Sequence, residues 1–155
     1  MLALAACACL QCTCAAETRT YQLDPFAQAS TGYAACPAVA PPVLTEEEMR
    51  TRAHSRAERG TSCCLAGTCE CGGAYKRDPE INARVVDAIK SDSRFRNTSV
   101  WVTTTRKFVT LQGCVRSAAQ KKALERFVKS LADVQIVFNE TKVGVSPRRS
   151  DHAEQ

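Results

Sequence analysis

A chain of 155 residues, 45% hydrophobic and 24% charged, has room for one small globular domain with appended segments. The net charge of +5 is mild and the basic residues are dispersed without a known nucleic-acid motif, so no nucleic-acid partner is expected. Ten cysteines indicate an oxidising compartment or a metal site, because a reducing cytosol disfavours disulfides.

The N-terminus has the features of an export signal. Residues 1–16 form an apolar run that ends in small residues and is too short to span a bilayer, which requires about 20 apolar residues. Two processing sites are open. In one, Leu4 to Cys7 form a lipobox and Cys7 carries the lipid. In the other, cleavage after Ala16 leaves an even set suited to disulfides: Cys36, Cys63, Cys64, Cys69, Cys71 and Cys114. We expect a periplasmic protein, either soluble or anchored to the outer membrane as a lipoprotein.

Residues 17–44 are predicted to be an extended linker, because they lack a sustained period and contain helix-breaking prolines. A short helix should begin after Thr45, a good N-cap followed by three glutamates, and end near residue 59, where Gly60 would stop it. The segment from there to residue 77 is rich in cysteine and glycine and predicts an irregular, disulfide-stapled loop. Adjacent Cys63 and Cys64 are expected to pair outward, with Cys36 as one candidate partner.

Residues 78–145 have the periodicity of a small α+β module. Asp78 as N-cap and Pro79 begin a helix to about Lys90. The runs VWVTT and FVTLQGCV alternate with period two around a turn near Arg106, which predicts a β-hairpin. A helix with a capping box at Ser117, a third strand VQIVFNETKV and a loose tail at 146–155 follow. The predicted fold is αββαβ, a three-stranded sheet with two helices on one face, preceded by a Cys-rich, mostly irregular segment.

Three stretches of this module match a known family: INARVVDAI in the first helix, VTLQGCV with Gly113 in the second strand, and DVQIVFNETKV at the end. The region from about Glu80 to Val143 resembles a single BON domain, named for bacterial osmotic-stress and nodulation proteins. The family's usual glycine before the last strand is Asp133 here. The glycine expected in the turn between the first two strands is also absent, and Thr105, Arg106 and Lys107 stand in its place. The resemblance implies a periplasmic or outer-envelope protein with a role in phospholipid binding, envelope maintenance or osmotic stress.

Strand alternation divides the predicted sheet into two faces. If the valines of the first strand face the helices, the second face holds Trp101, Phe108 and Phe138, together with Ile136 and Cys114. Exposed, these aromatic side chains would form an apolar binding patch. Alternatively, the helix at 45–59 or the Cys-rich loop covers the face, and a disulfide from Cys114 to Cys63, Cys64, Cys69 or Cys71 staples the loop there.

The basic residues of the second helix are the other candidate site: Arg116, Lys121, Lys122 and Arg126, with Lys129 beside them. They form either the solvated face of an amphipathic helix or a contact for anionic phospholipid.

No catalytic motif is present in the sequence, and neither His54 nor His152 completes a metal motif, so we expect no enzyme, metal or cofactor. The leading hypothesis is a non-catalytic envelope protein that binds an anionic phospholipid membrane or an envelope component. The alternative is a disulfide-stapled protein-interaction module without lipid affinity.

Overall fold

The computed structural model describes residues 19–68, 70–71 and 73–144, and nothing is said of the side chains of residues 58–60. The predictions for Cys7, Ala16, Cys69 and the tail lie outside these residues. The described elements are β1 (Phe26–Thr31), α1 (Glu46–Leu65), α2 (Asp78–Ser91), β2 (Ser99–Thr105), β3 (Phe108–Val115), α3 (Ala118–Lys129), β4 (Ile136–Asn139) and β5 (Lys142–Val143).

The sheet is larger than predicted. Its order is β1-β2-β3-β4, with β5 also paired to β3 beyond β4. The β1-β2 and β2-β3 pairs are antiparallel, whereas β4 and β5 run parallel to β3. The prediction of three strands was therefore wrong in two respects. Strand β1 comes from the supposed linker, and the last strand is interrupted at Glu140 and Thr141, where the Thr141 hydroxyl donates to Asn139 Oδ1 at 2.6 Å.

Both helices of the predicted module pack on one face of the sheet, as expected. Their fully buried side chains (Ile81, Val85 and Ile89 from α2, Leu124 and Val128 from α3) share one core with alternate residues of the strands: Val100, Val102, Val109, Leu111 and Val115. The strand residues between them point to the second face. The period-two and helical patterns of the sequence thus placed the core correctly.

Asp78 holds the β2-β3 turn, so its predicted role as a helix cap was wrong. The N-cap of α2 is Arg77, and the buried Asp78 carboxylate accepts the backbone N–H groups of Arg106 (2.7 Å) and Lys107 (2.8 Å). Both turn residues have left-handed backbones, with φ of 56° and 66°, as a two-residue type I′ hairpin requires. A carboxylate that binds both amides stabilises a conformation for which glycine is the usual residue.

Asp133 keeps the conformation of the glycine that it replaces, with φ of 66°. Its carboxylate lies 3.3 Å from Arg84 Nη1 and 3.8 Å from Arg77 Nη1, and these ion pairs help to hold it there. Gly113 is itself obligatory, because its φ is 111° and a Cβ would lie 2.1 Å from the Ser99 carbonyl oxygen.

Helix α1 begins as predicted and ends later. Thr45 and Glu48 form a capping box, but the helix continues through Gly60 to Leu65 and includes Cys63 and Cys64. A glycine inside a helix costs only about 1 kcal/mol relative to alanine, so it need not end one. Arg56 of this helix contacts the segments on both sides of it: it pairs with Asp24, before β1, and stacks 4.1 Å from the ring centre of Tyr75, before α2.

Candidate binding face

The second sheet face carries the side chains that the sequence grouped there. Trp101 lies opposite Gln112 in the β2-β3 pair, and in the parallel β3-β4 pair Phe108 lies opposite Ile136 and Thr110 opposite Phe138. The predicted strand register was therefore correct. The exposure of these side chains, however, differs sharply across the face.

Residues 32–44, here termed the cover segment, are fastened to the half of the face on β2. Backbone and hydroxyl groups of Tyr33 and Ser99 exchange two hydrogen bonds of 3.1 Å, and a disulfide joins Cys36 to Cys114 on this face. The far end is fixed where Leu44 and Tyr21 exchange backbone hydrogen bonds of 2.8 and 2.9 Å.

Trp101 lies in this half of the face and is only 8% exposed, so the expectation that its side chain forms an exposed binding surface was wrong. The expected disulfide partners of Cys114 were also wrong. Cys114 is bonded to Cys36 and not to the Cys-rich loop, whereas Cys64 pairs locally with Cys71; Cys63 is disulfide-bonded as well. Cys114 pairs with Cys36 because β1 lies beside β2, so the residues that follow β1 begin at the end of the sheet that holds Cys114.

The half of the face on β4 is open. Phe138 is 48% and Ile136 42% exposed, and Phe108 is partly buried beside them. The rings of Phe108 and Phe138 meet edge to face with centroids 6.3 Å apart. These three side chains, termed the edge patch, form an apolar surface of the kind that marks contact with a partner or a membrane.

Two of the predicted basic residues, Arg126 and Lys129, lie on helix α3 next to Ile136 of the edge patch. Arg126 lines a shallow cavity of about 440 Å³ together with Lys129, Ile136 and Val137, and the carboxylate residue Glu125 lines it as well. Lys122 is exposed further along the same helix. Within the described residues, Arg126 and Lys129 form no ion pair, so their charges are available to an anionic surface.

Arg116 and Lys121 have internal partners instead. The Arg116 guanidinium donates to the Asn97 (3.0 Å) and Gly32 (3.3 Å) carbonyls and stacks 3.6 Å from the Tyr33 ring centre. Lys121 Nζ donates to the Thr141 carbonyl at 2.6 Å. Both side chains therefore serve internal contacts rather than the predicted lipid contact: Arg116 fixes the cover segment, and Lys121 fixes the interruption between β4 and β5.

Sequence reasoning missed a cavity of about 680 Å³ beside Phe108 of the edge patch. One wall is the loop after α1, including Thr68 and Glu70, and the other includes Arg77, Lys107 and Phe108. No local sequence signal could reveal it, because the loop and the β2-β3 turn meet only in the folded chain.

These features define a small α+β module that presents a partly open sheet face beside a basic helix. Residues 77–145 match the BON domain family, so the chain contains a BON domain, a module that is generally non-catalytic and associated with the cell envelope. Strand β1, the cover segment, α1 and the Cys-rich loop lie outside the match. No curated protein and no solved structure matches the chain.

Two further observations bear on the cellular setting. The disulfides Cys36–Cys114 and Cys64–Cys71 are consistent with an oxidising compartment. Among the helices in the described part of the chain, none has the length and apolar character needed to cross a membrane.

Proposed function

We propose that this chain is a non-catalytic periplasmic protein whose BON domain attaches to anionic phospholipid through the edge patch, with Arg126 and Lys129 beside it. The observation that carries the proposal is the exposure of Ile136 and Phe138 on strand β4, with Arg126 and Lys129 beside Ile136 and without an ion pair among the described residues. The proposal includes a role in envelope maintenance or osmotic stress, in a form that is either soluble or anchored to the outer membrane through Cys7.

The forces in such a contact are individually small. Burial of one large apolar side chain contributes roughly 1.5–3 kcal/mol when it is complete, and each is already about half buried here. A basic residue close to an anionic surface adds about 1 kcal/mol and is screened by salt. Attachment should therefore be weak and reversible and should require both the apolar and the charged groups.

Vesicle co-sedimentation tests this proposal. Binding should rise with the anionic lipid fraction and fall with added salt. Phe138→Ser should reduce it strongly, whereas Val43→Ser, which removes a side chain of similar exposure (51%) outside the edge patch, should not. Arg126→Gln with Lys129→Gln should remove most of the salt dependence, and Lys90→Gln serves as the charge control. Equal binding by all these variants would refute the assigned surface.

An alternative is a protein-interaction module without lipid affinity, and the edge position of β4 favours it. Within the described residues β4 pairs only with β3, so one row of its backbone hydrogen-bonding groups is open to an added strand. No vesicle binding at any anionic lipid fraction, together with a partner whose capture is lost in Phe138→Ser, would select this alternative.

A further inference from the structure

The 680 Å³ cavity beside the β2-β3 turn has the size and composition of a small-molecule site. Its volume is within the range of about 300–1,000 Å³ typical of ligand pockets. Phe108 offers an apolar wall, and Arg77, Arg106 and Lys107 bring three cations to one side. The cavity therefore combines a surface for an apolar group with a local excess of basic side chains.

The acids of this cavity are already paired with one of the three cations. Glu70 accepts from Arg77 Nε (3.1 Å) and Nη2 (2.6 Å), and Asp133 lies 3.8 Å from the same guanidinium. The pairing lowers the pKa of Glu70 and raises that of Arg77. The charge of Arg77 is thus balanced within the wall and is not available to a ligand.

The other two cations form no close ion pair within the described residues, and the charge of Lys107 acts on Glu70 only as a minor cause of its lowered pKa. The Asp78 carboxylate beneath them accepts their backbone N–H groups and not their side chains. Arg106 places its guanidinium carbon 5.7 Å from the Phe108 ring centre, and its buried Nε has no hydrogen-bond partner in the described part of the chain. Arg106 and Lys107 therefore remain able to bind an anion.

We propose that this cavity binds an organic phosphate, with Arg106 and Lys107 contacting the phosphate and Phe108 packing against the attached organic group. An arginine guanidinium and a lysine ammonium on adjacent residues suit a phosphate, which accepts several charge-assisted hydrogen bonds. The phosphate can belong to a phospholipid headgroup or to a soluble phosphate ester. The site does not rest on membrane attachment by Ile136 and Phe138, and half of its wall lies outside the BON domain.

NMR titration of the full chain with glycerol 3-phosphate tests the site, with glycerol as the neutral control. Saturable shifts are expected at the amides of Arg106, Lys107 and Phe108. Lys107→Asn should weaken binding at least about tenfold through loss of a charge-assisted hydrogen bond. Asparagine tolerates the left-handed backbone at this position, so the turn is retained. Lys90→Asn is the charge control and should bind like the wild type.

A gain of affinity provides a test that misfolding cannot imitate. Glu70→Gln removes a negative charge from the wall and leaves Arg77 with Asp133 as its acidic neighbour, so it should tighten binding of glycerol 3-phosphate several-fold. Unchanged or weaker binding by Glu70→Gln, or affinity unaffected by Lys107→Asn, would overturn the assignment.

Vesicles distinguish the two sources of phosphate. Glycerol 3-phosphate binding that depends on Lys107 supports a soluble ester. If glycerol 3-phosphate does not bind, but binding to anionic vesicles falls in Lys107→Asn, the ligand is a lipid headgroup. If neither binding event depends on Lys107, the site is refuted. Failure of the edge patch is separate, since it appears as vesicle binding that is insensitive to Phe138→Ser.

Discussion

The disulfide between Cys36 and Cys114 links residues 78 positions apart, whereas Cys64 and Cys71 are separated by only 7. Replacing both members of a pair with alanine removes the link without leaving a thiol. If a disulfide acts mainly by restricting the unfolded chain, the long loop contributes about 4.5 kcal/mol and the short one about 2.5 kcal/mol. We therefore expect Cys36→Ala/Cys114→Ala to lose about 2 kcal/mol more unfolding free energy than Cys64→Ala/Cys71→Ala.

The assay is urea unfolding followed by the fluorescence of Trp101, the sole tryptophan of the chain. Because Trp101 is 8% exposed on the face to which Cys36 is fastened, release of the cover segment should also shift its folded-state emission to longer wavelength. The Cys64→Ala/Cys71→Ala variant, whose change lies in the loop after α1, should keep the wild-type emission.

An equal loss of stability in the two variants would refute the loop-length reasoning. An unchanged folded-state emission in Cys36→Ala/Cys114→Ala would refute the assigned cover of Trp101. The two outcomes are independent, because one measures the unfolded chain and the other the folded face.

Further predictions concern the β2-β3 hairpin and use the same urea assay. Asp78→Ala should cost roughly 2–4 kcal/mol, because two partly buried backbone amides lose a carboxylate acceptor. Burial raises the pKa of Asp78, so the stability of the wild type relative to Asp78→Asn should fall as pH rises above about 4, and a rise would contradict this sign. Lys107→Gly should stabilise by about 1 kcal/mol by relieving a left-handed backbone, while weakening phosphate binding. Gly113→Ala should destabilise by at least about 1–3 kcal/mol through strain and contact with Ser99, and wild-type stability would contradict the packing.

The elements of the BON domain could be predicted because their patterns are local. Alternation in FVTLQGCV and helical spacing from Ile81 to Ile89 report which side of each element is buried, and the structure agrees. The two-residue turn was located correctly. Its lack of glycine had no explanation in the sequence, because the stabilising carboxylate of Asp78 lies 28 residues before Arg106.

The N-cap of α1 at Thr45 could be predicted, but strand β1 could not, because it depends on a partner that is distant in the sequence. The stretch FAQAST has no strong strand pattern and becomes β1 only because β2 offers it a free edge about 70 residues later. Disulfide partners are likewise a property of the folded chain. The exposure of each part of the sheet face depends on β1 and on the disulfides. For this reason the sequence assigned Trp101 to the binding surface wrongly, whereas Phe138 remains a candidate.

The segments outside the family match change what the BON domain can present. Strand β1 occupies one sheet edge, the cover segment is bonded to the half of the face that holds Trp101, and the loop after α1 supplies a wall of the 680 Å³ cavity. The domain at 77–145 taken alone would lack all three, so it would expose Trp101 and lose the cavity wall. In that fragment an exposed Trp101 could contact the membrane, although it is buried in the full chain. The contributions of the edge patch and of the cavity to binding can therefore be measured separately only in the full chain.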